Sequence, residues 1–343
     1  ILAGLTLFGL LRRTFLRPLL ADRFGEKAWP LAAAIAVLWT LHPLQTEAVT
    51  YIIQRAESLM GLFFLLTLYG FVRSVDSPTP RAWLTLSFGA CLLGMATKEN
   101  MVSAPLLVLL FDRAFVAGTF AEAWRQRRRF YLALAATWLL LAALVIGAGG
   151  NRNGSAGFDV GIPWWNYLLT QFLALVTYLR LSLWPDPLVF DYGTFWVRYF
   201  ATVAVEASLV AALVGATLWT LWRKPAFGVL GAIFFAVLAP TSLVPGTTQM
   251  IVEHRMYLPL AAVSTLVVLG IFQVSRRRGL AVLAIMAVAL GGLTARRNYD
   301  YRSEFSIWDD AAVKRPASST AHFGRGAALE AMDRKPEAKA EYE

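Results

Sequence analysis

At 343 residues, 57% hydrophobic and only 16% charged, the chain is too apolar for a soluble domain of its size. Its net charge of +10 reads first as membrane topology, with Lys and Arg on the cytoplasmic side, and no nucleic-acid partner is expected. The lone Cys91, inside an apolar run, excludes a disulfide framework within the chain.

In chain order, apolar segments fall at 1–11, 28–41, 57–72, 81–96, 101–116, 130–148, 165–184, 199–222, 226–245, 256–274 and 279–295. Runs of roughly 18 apolar residues read as membrane-spanning helices, and nothing alternates in the ten-residue stretches of a β-barrel. The shorter runs are expected to extend into their polar flanks. With "ILAGLTLF" at one end and "EAKAEYE" at the other, the chain reads as a piece of a longer protein.

Charge orients the segments. With the loop holding Arg12, Arg13, Arg17, Arg23 and Lys27 in the cytoplasm, Arg73, Arg81, Arg113, Arg125 and Arg127 to Arg129 also fall inside. A full span at 165–184 would put Arg223, Lys224 and Arg276 to Arg278 outside, against the rule. An interfacial or re-entrant helix keeps them inside, and Trp164, Trp165 and Tyr178 suit an interface. On that choice 17 Lys and Arg lie inside, against Arg55, Lys98, Arg152, Arg180, Arg198 and Arg255 outside. The expected fold is all-α: a polytopic helical membrane protein of about ten spans plus the interfacial helix.

Four polar clusters then share the outer face. In "TLHPLQTEAVTYIIQRAESL", His42–Pro43 ends a membrane helix, and Thr46 caps a short amphipathic surface helix. Glu47, Tyr51 and Arg55 follow at intervals of four. These charges read either as a solvated surface or as the wall of a site faced by His42 and Arg55. In "TKEN", Lys98 and Glu99 are either a plain interfacial pair or a cation waiting for phosphate. In "YLRLSLWPDPLVFDYG", Asp186 between prolines reads as a turn residue, and Arg180, Asp191 and Tyr192 are the site candidates. In "VEHRMYLP", Glu253, His254 and Arg255 precede a helix near Met256 with Tyr257 at the interface. Arginine's planar fork suits phosphate oxygens. Ionisable groups at a membrane are functional candidates by default. His42, His254 and His322 lack zinc-ligand spacing, so no metal is expected. No P-loop is present.

From Ala295 the chain turns polar. "AHFGRGAALEAMDRKPEAKAEYE", with Gly326 and Ala327 and a turn at "DRKP", has the spacing of a tetratricopeptide (TPR) repeat. One unit cannot bury its apolar face alone. The domains expected are 1–295 in the membrane and 296–343 as the start of a repeat domain on the non-cytoplasmic side.

Five strings resemble one family: "LHPLQTEAVTYIIQRAESLMGLFFLLTLY", "ATKENMVSAPLLVLLFDRAF", "LRLSLWPDPLVFDYG", "LVPGTTQMIVEHRMYLPLA" and "RSEFSIWDDAAVKRP". These are the multi-pass membrane proteins with C-terminal TPR repeats related to the transmembrane-and-TPR O-mannosyltransferases. The resemblance implies a GT-C-like fold in a bacterial inner membrane. It implies an enzyme that takes sugar from a polyprenyl-phosphate carrier and passes it to a protein acceptor on the non-cytoplasmic face. The lipid-linked sugar is the substrate and no further cofactor is expected. The repeats would present a protein or peptide. The family's general base lies in a first outer loop, expected upstream of Ile1; within the chain only Glu47 and Glu253 are weak candidates. The alternative is a non-catalytic membrane-anchored TPR scaffold, or an accessory subunit of a larger membrane assembly.

Overall fold

The computed structural model describes residues 1–150, 154, 156–158, 160–247, 250–275 and 278–343. Arg152, Arg276 and Arg277, used above for orientation, lie outside the described residues, as do Thr248 and Gln249.

Helix α1 (Leu2–Phe15) leads through the short α2 (Pro18–Phe24) to α3 (Ala28–Thr40). A turn at Pro43–Gln45 and the five-residue α4 (Thr46–Thr50) precede α5 (Arg55–Asp76), α6 (Pro80–Met95) and α7 (Ala104–Asp112). A π turn, Arg113–Ala117, joins α7 to α8 (Phe120–Gly147). Then come α9 (Trp164–Leu183), α10 (Ala204–Arg223), α11 (Pro225–Leu243), α12 (Pro259–Val274) and α13 (Gly279–Asp300). Three polar helices close the chain: α14 (Glu304–Lys314), α15 (Ser319–Ala331) and α16 (Lys335–Tyr342). Every apolar segment of the sequence is a helix. Proline starts α2, α6, α7, α11, α12 and α16, where its missing N–H costs nothing. The Thr119, Ser303 and Ser318 side chains accept the free N–H groups of α8, α14 and α15.

Among the described residues six helices are long and apolar enough to cross a bilayer by themselves: 52–76, 99–117, 120–147, 200–223, 225–243 and 279–300. Helices α1, α3, α6 and α12 have 13 to 16 residues each and are shorter than a full span. Length and composition thus account for six of the ten crossings expected.

Helix α9 lies differently. Its first residue donates from Trp164 Nε1 to the Leu243 carbonyl at the outer end of α11, 2.9 Å away, and the Tyr167 hydroxyl reaches Thr241. At its other end the Ser182 carbonyl meets His42, beyond the outer end of α3, and the Tyr178 hydroxyl accepts the Val252 N–H. Both ends of a 20-residue helix therefore touch the same end of the bundle. The distribution of Lys and Arg favoured an interfacial or re-entrant helix here; the contacts show that α9 runs between two points at one end of the bundle.

Small residues let the helices approach closely, as they do where apolar solvent gives no drive to associate. A Cβ on Gly70 of α5 would lie 2.9 Å from the Trp83 carbonyl oxygen and 3.0 Å from Ser87, both on α6. At the inner end, Arg17 reaches Asp76 at 2.8 Å and the Val72 carbonyl, while Arg127 and Tyr131 hold the buried Asp112.

Beyond the last apolar helix, α14, α15 and α16 pack in succession. Gly324 lies under the Trp308 ring and Gly326 against Tyr342, and Asp333 turns the chain at φ 61°. The segment expected to open a repeat is thus a hairpin of α15 and α16.

Gly70→Leu is expected to cost about 1–3 kcal/mol through overpacking and to lower the melting temperature in detergent. Gly215→Leu on α10, where nothing lies within 4 Å, should leave it unchanged. Equal melting temperatures for the two variants would contradict the packing of α5 on α6.

Candidate functional site

The end of the bundle expected to face outward is built around the tight turn Glu253–Met256 between α11 and α12, all four residues of which are buried. Each of its three ionisable residues meets a different part of the fold. Glu47 of α4 grips His254 twice. One carboxylate oxygen lies 2.6 Å from Nδ1 and the other accepts the His254 backbone N–H at 2.9 Å. Glu253 Oε1 accepts the Val189 N–H at 2.6 Å and the Tyr192 hydroxyl at 2.9 Å. Burial pushes its carboxyl up to about 7, against the opposing pull of Arg297. Arg255 bonds to Tyr167 of α9 and feels the charge of Glu57.

Arg255 opens on a cavity of about 440 Å³. Its far side is the α6–α7 turn, Met95 to Glu99. Its walls are the outer ends of α8 and α11, through Leu141, Leu144, Val145, Pro240 and Val244. Among the described lining residues Lys98, Glu99 and Arg255 carry charge. Lys98 pairs with Glu57, whose carboxylate is wholly buried in the first turns of α5. A mostly apolar pocket with two cations and one acid at its end has the chemistry to hold an amphiphile with an anionic head. Among the described residues no three His, Cys, Asp or Glu side chains come together as a metal would require.

Lys98, Glu99 and Arg255 are therefore brought together at the cavity; the other residues proposed from sequence do not line it. His42 uses both ring nitrogens inside the fold, Nδ1 accepting the Leu44 N–H and Nε2 meeting the Ser182 carbonyl, each at 3.2 Å. Burial lowers its pKa to about 4, so it is a neutral clasp between α3 and α9. Arg55 is exposed and bonds the Val49 carbonyl at 3.3 Å. Arg180 is exposed beside the Asp186 carbonyl at 3.4 Å. Asp191 folds its own turn, accepting the Gly193 N–H at 2.7 Å, and burial raises its carboxyl. Tyr192 serves Glu253, and His254 is held by Glu47. Tyr257 packs edge-on to Trp39 at 5.0 Å, its carbonyl taking the Trp39 indole N–H at 2.8 Å, and burial pushes its phenol up to about 12. Glu47 and Glu253, the two carboxylates within the chain considered as bases, are both engaged behind the cavity wall.

Sequence reasoning weighed Glu57 only with its cluster, as a solvated surface charge or part of a site wall, and did not single it out. Its one signal is position, a carboxylate at the start of a long apolar run. It also missed Arg297 near the end of α13, which pairs with Asp310 of α14 at 2.7 Å.

These features define a class: an all-helical, multi-pass membrane protein with a cation-ended apolar cavity on one face and polar helices docked beside it. Comparison with known proteins names its relatives. No family model matches the chain and no solved structure does. Tmtc2 of Drosophila melanogaster, a protein O-mannosyl-transferase, is 32% identical over 177 residues, which is 48% of this chain and 18% of the fly protein. Tmtc3 of the same fly, also a protein O-mannosyl-transferase, is 25% identical over 359 residues, covering 87% of this chain and 39% of its own length. The Xenopus laevis protein O-mannosyl-transferase tmtc2 is 27% identical over 198 residues, 52% of this chain and 23% of its own. The chain is homologous to the Tmtc protein O-mannosyl-transferases and spans less than two fifths of the length of these relatives.

Because folding raises the Glu253 pKa to about 7, the folded protein holds that proton more tightly than the unfolded chain. This contribution to stability is full below the ordinary carboxylate range and is lost as pH rises through 7. Melting curves at pH 6 and pH 8 should therefore differ less in Glu253→Gln than in the wild type. An identical pH dependence in both would contradict the buried, protonatable state of Glu253.

Proposed function

We propose that the chain is the membrane part of a glycosyltransferase. It moves a sugar from a polyprenyl-phosphate carrier to a hydroxyl of a protein acceptor on the non-cytoplasmic face, which in a bacterial inner membrane is the periplasmic face. The cavity between α6, α8, α11 and the Glu253–Met256 turn is the donor site. One observation carries this reading: Lys98 and Arg255, 157 positions apart in sequence, end the same apolar pocket. The homology to protein O-mannosyl-transferases supports the reaction class.

The chemistry asked of the site follows from the bonds exchanged. The bond from the sugar's anomeric carbon to the phosphate oxygen breaks, and its electron pair leaves with the lipid phosphate. A bond from the anomeric carbon to the acceptor oxygen forms, and the acceptor's proton passes to a base. Charge grows on the departing phosphate, so preset cations there lower the barrier. Lys98 and Arg255 are positioned for that role, with Tyr167 and Glu57 orienting them. The apolar outer ends of α8 and α11 receive the first units of the polyprenyl chain. The general base belongs to the acceptor side, since Glu47 and Glu253 are held behind the wall.

In a reconstituted transfer assay, Arg255→Ala and Lys98→Ala are expected to lower transfer on the order of 10²-fold. Arg55→Ala, outside the cavity, should stay near wild type. Wild-type transfer by both cavity variants would overturn the donor-site assignment.

A further inference from the structure

The inference concerns how the cavity wall is held, and it rests on the donor-site reading above. Arg255 sits in a four-residue turn with Glu253, His254 and Met256, all buried. In so short a turn the backbone that carries Glu253 and His254 also sets the direction in which the buried Arg255 side chain leaves the chain. Two anchors fix the turn. Glu47 holds His254 from α4, within the membrane bundle. The other anchor is Glu253, and its partner is not in the bundle but in the loop between α9 and α10.

That loop is held from the opposite side by α14. Lys314 Nζ donates to the Leu188 carbonyl at 2.8 Å, and Glu253 accepts the Val189 N–H at 2.6 Å. Leu188 C=O and Val189 N–H are the two ends of one peptide group. A peptide group is planar and stiff, so α14 and the Glu253 turn grip a single rigid plate. An ammonium on the carbonyl oxygen also polarises the amide and strengthens donation by its N–H. Lys314 is itself fixed, 2.7 Å from Asp310, and Asp310 is 2.7 Å from Arg297 of α13. The neighbouring Phe190 ring packs edge-on to Tyr51, Tyr301 and Trp308, at 5.1, 5.9 and 4.9 Å. The plate therefore has little freedom to tilt.

We propose that Glu253 is a positioning residue that ties the aim of Arg255 in the cavity to the seating of α14, through the Leu188–Val189 peptide. The polar helices after α13 are then part of the donor site's support, and not only a platform for an acceptor. Shifting α14 alters the grip on the lipid phosphate although no residue of α14 touches the cavity.

The test uses the full chain in phosphatidylcholine nanodiscs and dolichyl phosphate as the probe, with binding measured directly. Lys314→Met removes the ammonium from the peptide and is expected to weaken binding about tenfold, the loss of one charged hydrogen bond's worth of positioning. Lys314→Arg, which can still donate to Leu188, should restore it, and binding lost in Lys314→Met at an unchanged melting temperature separates positioning from a merely structural role. Tyr192→Phe removes the second donor to Glu253 at almost constant volume. It should weaken binding by a smaller factor, and it decides the matter if Lys314→Met fails to fold. Wild-type affinity in Lys314→Met or Tyr192→Phe, with Arg255→Ala abolishing binding, would overturn the inference and leave the donor site standing. Failure of the wild type itself to bind dolichyl phosphate would overturn both.

Discussion

The outer end of this bundle depends on the cost of burying charge. Glu47, Glu57, Glu253, His254 and Arg255 are all buried, at a membrane face where an unpartnered ion is expensive. Each is held only because a partner from a distant part of the chain meets it. Glu47 comes 207 positions before His254, and Glu253 is met 64 positions back by Val189. Removing any one partner strands a buried group, so the α3–α5 turn, the α9–α10 loop and the α11–α12 turn are effectively one structure. The cavity lies against that knot: Arg255 reaches it from the α11–α12 turn, and Lys98 reaches it while paired with Glu57.

Much of the architecture was legible in the sequence, and the reasons are physical. Apolar runs must be helical in a bilayer, since every backbone polar group needs a partner, and all eleven runs are helices. The distribution of Lys and Arg set 165–184 apart from the full spans, and both ends of α9 touch one end of the bundle. The site was only partly legible. Residue types grouped Lys98 and Arg255 with the other candidates, and the structure has them line one cavity, but composition does not say which polar residues look into a cavity and which hold it from behind. His42, Asp191, Tyr192 and Glu253 carry the same chemistry as ligands would, and their hydrogen bonds turn inward. Asp191 closes a local turn on Gly193, but the bonds of His42 to Ser182 and of Tyr192 and Val189 to Glu253 join residues 61 to 140 positions apart, and no local pattern encodes such pairings. Glu57 was not singled out because a carboxylate at the mouth of an apolar run looks solvated until Lys98, from the turn after α6, is seen against it.

The loop "WPDPLVFDYG" changes meaning most. As sequence it offers acids and a tyrosine to a substrate. In the fold it is a joint, with Leu188 on Lys314, Val189 and Tyr192 on Glu253, and Phe190 wedged among three rings. A glycosyltransferase with a membrane-embedded donor and a protein acceptor outside must bring the two together at one place. A stiff joint between the cavity wall and the outer helices meets that requirement without a separate moving part.

The central claim is that the cavity ending in Lys98 and Arg255 takes a polyprenyl phosphate. A cryo-EM map of the protein in nanodiscs with dolichyl phosphate tests it most directly. The account predicts elongated density along α8 and α11 with its head group between Lys98 and Arg255. Head-group density elsewhere on the outer face, with that cavity holding only bilayer lipid, would contradict it.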